Sequence, residues 1–180
     1  PIRAKLYATP GNRDHRDRFA ATFQRGNEPF MHHAFEDLPF RLIALDSIEP
    51  PQNKGAFCAD RLRWLDETLS AAPKRPTLLF MHHPPFDMEP DYLRGYLNPL
   101  DRDALANVVL KHDQVRHLFC GHCHWISRNE WAGTAVTTTT SVARDVRKGV
   151  DESRYGETPI YQLHQVAVDG TITTETRTAA

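Results

Sequence analysis

Three short polar stretches hold the residues best suited to chemistry. They are Pro10-Gly11-Asn12-Arg13-Asp14, Met81-His82-His83-Pro84-Pro85 and Gly121-His122-Cys123-His124. Asparagine and histidine are neutral ligands that suit borderline divalent metals. Asn12 offers an amide oxygen, and His82, His122 and His124 offer imidazole nitrogens. Gly11 and Gly121 permit tight turns beside them. The His122-x-His124 spacing lets two imidazoles reach one metal or two neighbouring ones. Two metals roughly 3.5–4 Å apart can clamp a phosphate and generate a hydroxide nucleophile. The last stretch also reads in another register: Cys120-Gly-His-Cys123 has the spacing of a thiol redox pair. Metal-dependent hydrolysis and thiol oxidoreduction need different scaffolds, so the surrounding elements must decide.

Those elements alternate. AKLYAT (4–9) reads as a short strand ending at Pro10-Gly11. DHRDRFAATFQR (14–25) reads as a helix, with Phe19 and Phe23 on one face. RLIALD (41–46) is an apolar run and a buried strand. From Asp60, Leu62, Leu65 and Leu69 recur at helical spacing, and the helix stops near Ala71–Pro73. TLLFM (77–81) is a strand that the double proline terminates. FDMEPDYLRGYLNPL (86–100) reads as an irregular surface excursion. Its part from Asp91 to Leu100, with Tyr92 and Tyr96, is a candidate lid or interface. Asp101 caps a helix running to about His112, with Leu105, Val108 and Val109 apolar. VRHLFC (115–120) is a strand. TAVTTTTSV (134–142) is strand-like, and IYQLHQVAVDGTITTETRT (160–178) folds into a hairpin about Asp169-Gly170. The pattern predicts an α/β layered domain in which a mixed sheet carries helices on its outside, followed by a C-terminal β-hairpin. In such sheets chemistry gathers at the carboxyl ends of strands. Each polar stretch follows a predicted strand, so the three should converge.

The bulk composition narrows the class. The chain has 180 residues, 40% hydrophobic and 25% charged, with formal net charge −1. That is one ordinary domain, residues 1–180, with no charge excess to capture nucleic acid or an anionic membrane. No apolar run is long enough to span a bilayer. Three cysteines without a signal peptide favour a reducing cytoplasm. Six of the ten histidines fall in three clusters, His32-His33, His82-His83 and His122-x-His124. The bland alternative is a set of solvated surface histidines.

PGNRD, FMHHPPF and CGHCH together resemble the last three motifs of the calcineurin-like metallophosphoesterases. Those usually read GNH followed by Asp or Glu, then H-x-P, then GHxH. LDS at 45–47, RLRWLDETL at 61–69 and VRHLFCGHCH at 115–124 look like one branch, the class III cyclic nucleotide phosphodiesterases and bacterial glycerophosphodiesterases. The likeness runs from about residue 7 to residue 172. It implies the C-terminal two thirds of a metallophosphoesterase-like α/β sandwich, which hydrolyses a small-molecule phosphodiester by metal-activated water. It implies divalent Mn, Fe, Zn or Co, normally two ions, with one or none as alternatives for this chain. Asn12, His82 and His122 would hold one metal and His124 the other. His82 is preferred to His83 because one residue separates it from Pro84. His83 is then a neighbour of the ligands or faces the substrate.

Two departures qualify the resemblance. Arg13 stands where the family has a histidine. Arginine binds phosphate oxygens at any working pH but donates no proton readily. Arg13 would stabilise the transition state, leaving water or His83 to protonate the leaving group; pairing with Asp14 or Asp17 is its structural alternative. The family's Asp-x-His and Gly-Asp motifs are also missing, which reads as an N-terminally truncated chain. A catalytically impaired metal- or phosphate-binding remnant, open to homo-oligomerisation, is therefore the second reading. Asp14, His15, His32, His33 and Asp46 are the candidates to replace the missing ligands.

The oxidoreductase reading needs Cys120 and Cys123 at a helix N-terminus, where the dipole lowers the thiol pKa. WISRNEWAGTAVTTTT after Cys123 favours strand instead. That reading also leaves the other two polar stretches unexplained. Trp64 and Trp125 read as packing residues, with a wall of the substrate cleft as the alternative for Trp125.

Overall fold

The computed structural model describes residues 3–23, 29–87, 95–143 and 146–179. Eight strands and four helices are assigned within them. Helix α1 is Arg16–Phe23, followed by β1 (His33–Phe35), β2 (Arg41–Leu45), α2 (Ala59–Ser70), β3 (Thr77–Met81) and α3 (Pro99–Val109). Then come β4 (Val115–Cys120), β5 (Ser127–Trp131), β6 (Thr134–Thr138), α4 (Glu152–Tyr155), β7 (Ile160–Val166) and β8 (Ile172–Thr178).

Six strands form one sheet in the order β1-β2-β3-β4-β6-β5. β2, β3, β4 and β6 are parallel; β1 and β5 pair antiparallel at the two edges. Parallel strands are buried on both faces, which is why RLIAL and TLLFM are almost uninterrupted apolar runs. One face of the sheet presents Ile43, Leu45, Leu79, Met81, Leu118 and Val136 to Leu65 and Leu69 of α2 and Leu105, Val108 and Val109 of α3. Burying each such leucine contributes roughly 1.5–3 kcal/mol. β7 and β8 pair separately as the C-terminal hairpin, turning at Asp169-Gly170 as its sequence predicts.

The structure corrects several boundaries. Residues 4–9 form no strand, and the segment is tied to the sheet by side chains. Thr9 Oγ1 donates to the Leu45 carbonyl at 2.8 Å, and Lys5 and Tyr7 reach Asp37. α1 begins at Arg16, and residues 24 and 25 of the predicted helix lie outside the described residues. α3 starts at Pro99, not after Asp101. Asn98 is its N-cap, accepting from Leu100 N at 3.1 Å, and proline suits the first helical position. Asp101 instead accepts from Phe57 N at 2.9 Å. The helix ends at Val109, three residues short of His112. β1 and α4 carry too few residues for a periodic signal. Of the candidate lid, Asp91 and Tyr92 lie outside the described residues, whereas Tyr96 is buried against the core.

Candidate metal centre

Strand register brings two of the three polar stretches, at His82 and at Gly121-His122, to one edge; the stretch at Asn12 follows no strand. Leu45 pairs with Met81, Met81 with Cys120, and Cys120 with Thr138. The last residues of four parallel strands therefore stand in one row, about 4.8 Å apart strand to strand. Asp46, His82, Gly121 and Thr139 each follow directly. Gly121 N donates to His82 O at 3.0 Å, and Thr139 N to Cys120 O at 3.0 Å, so the row persists beyond the strands.

Asn12 meets this row from the turn closed by Asp14 N on the Gly11 carbonyl. Its Oδ1 lies 2.7 Å from His82 Nε2, which lies 3.2 Å from His122 Nδ1. An amide oxygen cannot donate, so the shorter contact requires a proton on His82 Nε2. His122 Nδ1 must then share that same proton. Two lone pairs, those of Asn12 Oδ1 and His122 Nδ1, thus face one His82 N–H, which brings ligand atoms of three distant segments together. A cation in place of that proton would accept a pair from each, and this oxygen–nitrogen set suits a borderline divalent ion. A Cβ on Gly11 would stand 3.1 Å from the His82 ring, so the turn carries glycine at this approach. His122 and His124 adopt φ of +66° and +56°. Left-handed backbone at a non-glycine residue costs of order 1–3 kcal/mol and gathers at functional sites.

His83 faces the other way. It is fully buried, with Nδ1 at 2.9 Å from Ser47 Oγ and Nε2 at 3.2 Å from the Asn53 carbonyl. The carbonyl only accepts, so Nε2 carries the proton and Nδ1 accepts from the Ser47 hydroxyl. Both nitrogens are occupied. The ring packs against those of His82 and His122, with centroids 4.8 and 4.6 Å apart. Ligating atoms of His82, His83 and His122 all lie within 4.8 Å of one another. Asn12 Nδ2 reaches Asn53 Oδ1 at 3.4 Å, which ties the Asn12 turn to the same loop.

His124 stands apart from that group of three. Its Nδ1 lies 2.9 Å from the Val146 carbonyl, which fixes the proton there and leaves Nε2 with its lone pair. Arg13 is exposed and makes no hydrogen bond or ion pair among the described residues, with Asp14 and Asp17 included. Asp14 accepts from Gly11 N at 2.8 Å, and it is Arg16 that binds a carboxylate. That carboxylate is Asp46, which is fully buried. It accepts from Arg16 at 2.7 and 3.1 Å, Met31 N at 3.0 Å and Ile48 N at 3.1 Å. Its lone pairs are consumed by the fold. His32 accepts from Asp46 N at 3.0 Å and stacks on Trp64. His33 packs on Phe35 in β1, and His15 is exposed at the start of α1. None of these five joins the cluster. Ser47 and Asn53 do support it and were not assigned a role from the sequence. Ser47 sits one residue beyond a predicted strand, a weak signal; Asn53 lies in a loop that gives none.

Burial is the first cause of the low pKa values here. It takes His82 to about 3, His83 to about 2 and His122 to about 4, with neighbouring imidazoles adding to the effect. All three rings are neutral at pH 7, the state in which imidazole ligates a metal. The thiol reading fails on structure. Cys120 ends a strand, β5 rather than a helix follows Cys123, and burial pushes the Cys120 thiol up, opposite to a redox nucleophile.

This fold and this site define an α/β domain with a histidine-rich cluster at the carboxyl edge of a parallel sheet. The calcineurin-like phosphoesterase family profile matches residues 1–125, and the chain belongs to that family. It is 32% identical over 179 residues to a probable glycerophosphodiester phosphodiesterase of Arcobacter nitrofigilis, covering 95% of this chain and 66% of the relative. It is 27% identical over 181 residues to the 3′,5′-cyclic adenosine monophosphate phosphodiesterase of Escherichia coli K12, covering 97% and 63%. The chain thus spans 66% and 63% of the length of these two relatives. In fold it resembles a dimetal phosphatase from Danio rerio, with TM-score 0.51, 19% identity, and 60% of this chain and 48% of that one covered.

Proposed function

We propose that this chain carries part of the active centre of a metal-dependent phosphodiesterase acting on small diesters of the cyclic nucleotide or glycerophosphodiester type. One observation carries the reading: Asn12 Oδ1 and His122 Nδ1 lie 2.7 and 3.2 Å from His82 Nε2, three potential ligand atoms brought together from three segments. Asn12, His82 and His122 would hold one divalent ion, and His124, whose Nε2 keeps its lone pair, would serve a second. Mn, Fe, Zn and Co all suit these ligands. When bound, the ions supply Lewis acidity toward phosphate oxygens and lower the pKa of water. The chain's own residues do the rest. The Ser47–His83–Asn53 chain holds the wall against which His82 and His122 rest. The Arg13 guanidinium, exposed beside Asn12, neutralises phosphate oxygens. Water protonates the leaving group, since His83 has no free nitrogen. Among the described residues no helix is long and apolar enough to cross a membrane. Three free thiols suit the cytoplasm.

The test is turnover of bis-p-nitrophenyl phosphate with added Mn²⁺, alongside metal analysis of the purified chain. Turnover that disappears in His82→Ala and Asn12→Ala supports the reading; turnover unaffected by either substitution refutes it. A second reading has its own observation. The cluster contains no carboxylate among the described residues, and Asp46 is consumed by the fold. A chain that binds Mn²⁺ through His82 and His122 yet turns over no diester is a metal-binding remnant.

A further inference from the structure

We infer that Trp125 is a stacking platform for a planar aromatic group on the diester, such as a nucleobase; this rests on the phosphodiesterase reading above. Trp125 follows His124 directly, about 3.8 Å away at Cα. It remains 43% exposed, although indole is among the side chains that gain most from burial. The ring is nonetheless held in place. A Cβ on Gly149 would stand 2.4, 2.7 and 2.8 Å from indole Cε2, Cδ2 and Nε1, so the ring lies face-on against the bare Gly149 Cα. Gly149 has φ +63°, where side chains are disfavoured in any case. Trp125 also bridges Lys148 through the backbone, and its carbonyl accepts from Thr138 Oγ1 at 2.6 Å. The same segment fixes the neighbouring ligand candidate: Lys148 N donates to the His124 carbonyl at 2.9 Å, and His124 Nδ1 meets Val146 O.

One indole face is therefore covered by glycine, and part of the ring stays open at the position directly after His124. Val146, next along that segment, is 44% exposed and adds apolar surface. A glycerol substituent is a polyol and gains little from such a surface. A flat heteroaromatic base gains a stack on it. The platform favours base-bearing diesters over glyceryl ones.

Two measurements test this. The first is tryptophan fluorescence of the Mn²⁺-supplemented chain, titrated with adenosine 5′-monophosphate or glycerol 3-phosphate. Saturable quenching by the nucleotide that is absent with glycerol 3-phosphate, and lost in Trp125→Phe, is expected. Equal quenching by both, or none, overturns the proposal. The second is kinetic. Trp125→Ala should raise KM for 3′,5′-cyclic AMP and bis-p-nitrophenyl phosphate about tenfold, the loss of one base–aromatic stack, with kcat within about twofold. KM for glycerophosphoethanolamine should not move, and Trp125→Phe should stay near wild type. Gly149→Ala keeps the indole but displaces it, and should reproduce part of the effect. A uniform KM change across all three diesters overturns the platform. If no diester is turned over, the phosphodiesterase reading falls, and the fluorescence comparison still decides for or against Trp125.

Discussion

Ser47 Oγ sits 2.9 Å from His83 Nδ1 and also accepts from the His83 backbone N–H at 3.3 Å. One hydroxyl thus fixes both the main chain and the tautomer of a fully buried histidine. A polar pair at this depth is kept only because each partner satisfies the other. Ser47→Ala removes the donor and strands a buried acceptor. It should cost about 1–3 kcal/mol in urea unfolding. Ser47→Thr, which keeps the hydroxyl, should cost less.

The three converging atoms predict a sharp metal phenotype. His82→Ala removes the atom that touches both other donors. Isothermal titration with Mn²⁺ should show the cluster's binding lost, with the melting temperature of the metal-free chain little changed. Asn12→Asp should instead retain or tighten binding, because a carboxylate replaces a neutral oxygen at the same place.

Gly11 separates geometry from ligation. A methyl there would press on the His82 ring at 3.1 Å without removing any donor. Gly11→Ala should weaken Mn²⁺ binding by roughly three- to tenfold while every ligand remains, since sites tolerate little displacement of their ligands. Wild-type affinity in this variant would show that the ring moves freely.

Asp46 is predicted to act in folding, not in ligation. Its carboxylate is fully buried and takes four hydrogen bonds, two of them from Arg16. Asp46→Ala leaves Arg16 and two backbone N–H groups without their partner. A loss of about 3–5 kcal/mol is expected by denaturant titration, the scale for breaking a buried ion pair.

Stability of the metal-free chain should fall in mild acid. Burial takes His32 from 6.5 in the unfolded chain to about 4 in the native one. Between those values the unfolded chain binds the proton and the native chain does not. The His32 contribution is complete above pH 6.5 and is lost progressively as pH falls toward about 4. It amounts to roughly 3 kcal/mol. His82, His83 and His122 titrate across the same range, so His32→Gln should reduce the slope of that part of the profile, measured by urea unfolding at each pH, without abolishing it.

Local chemistry made much of this protein legible before any tertiary contact was known. Leu62, Leu65 and Leu69 at helical spacing marked α2, the apolar runs at 41–45 and 77–81 marked buried strands, and Asp169-Gly170 marked the hairpin. These signals are periodic or steric and act within a few residues. The polar stretches at Asn12, His82 and His122 were visible for the same reason, each lying just beyond a strand or a turn signal. Their meeting was an inference; the distances came only from the fold. Strand register decided it for His82 and His122, because aligning Leu45, Met81, Cys120 and Thr138 is a long-range matter that no window of sequence contains. Register also set His82 beside Gly121, while packing of the Asn12 turn brought its amide to His82, and His83 turned inward onto Ser47. The same long-range packing consumed Asp46, tied residues 4–9 to Leu45 and Asp37 through side chains, and pinned Trp125 on Gly149. Residue type determined what each group was able to do, and the packed sheet determined which groups were left free to do it.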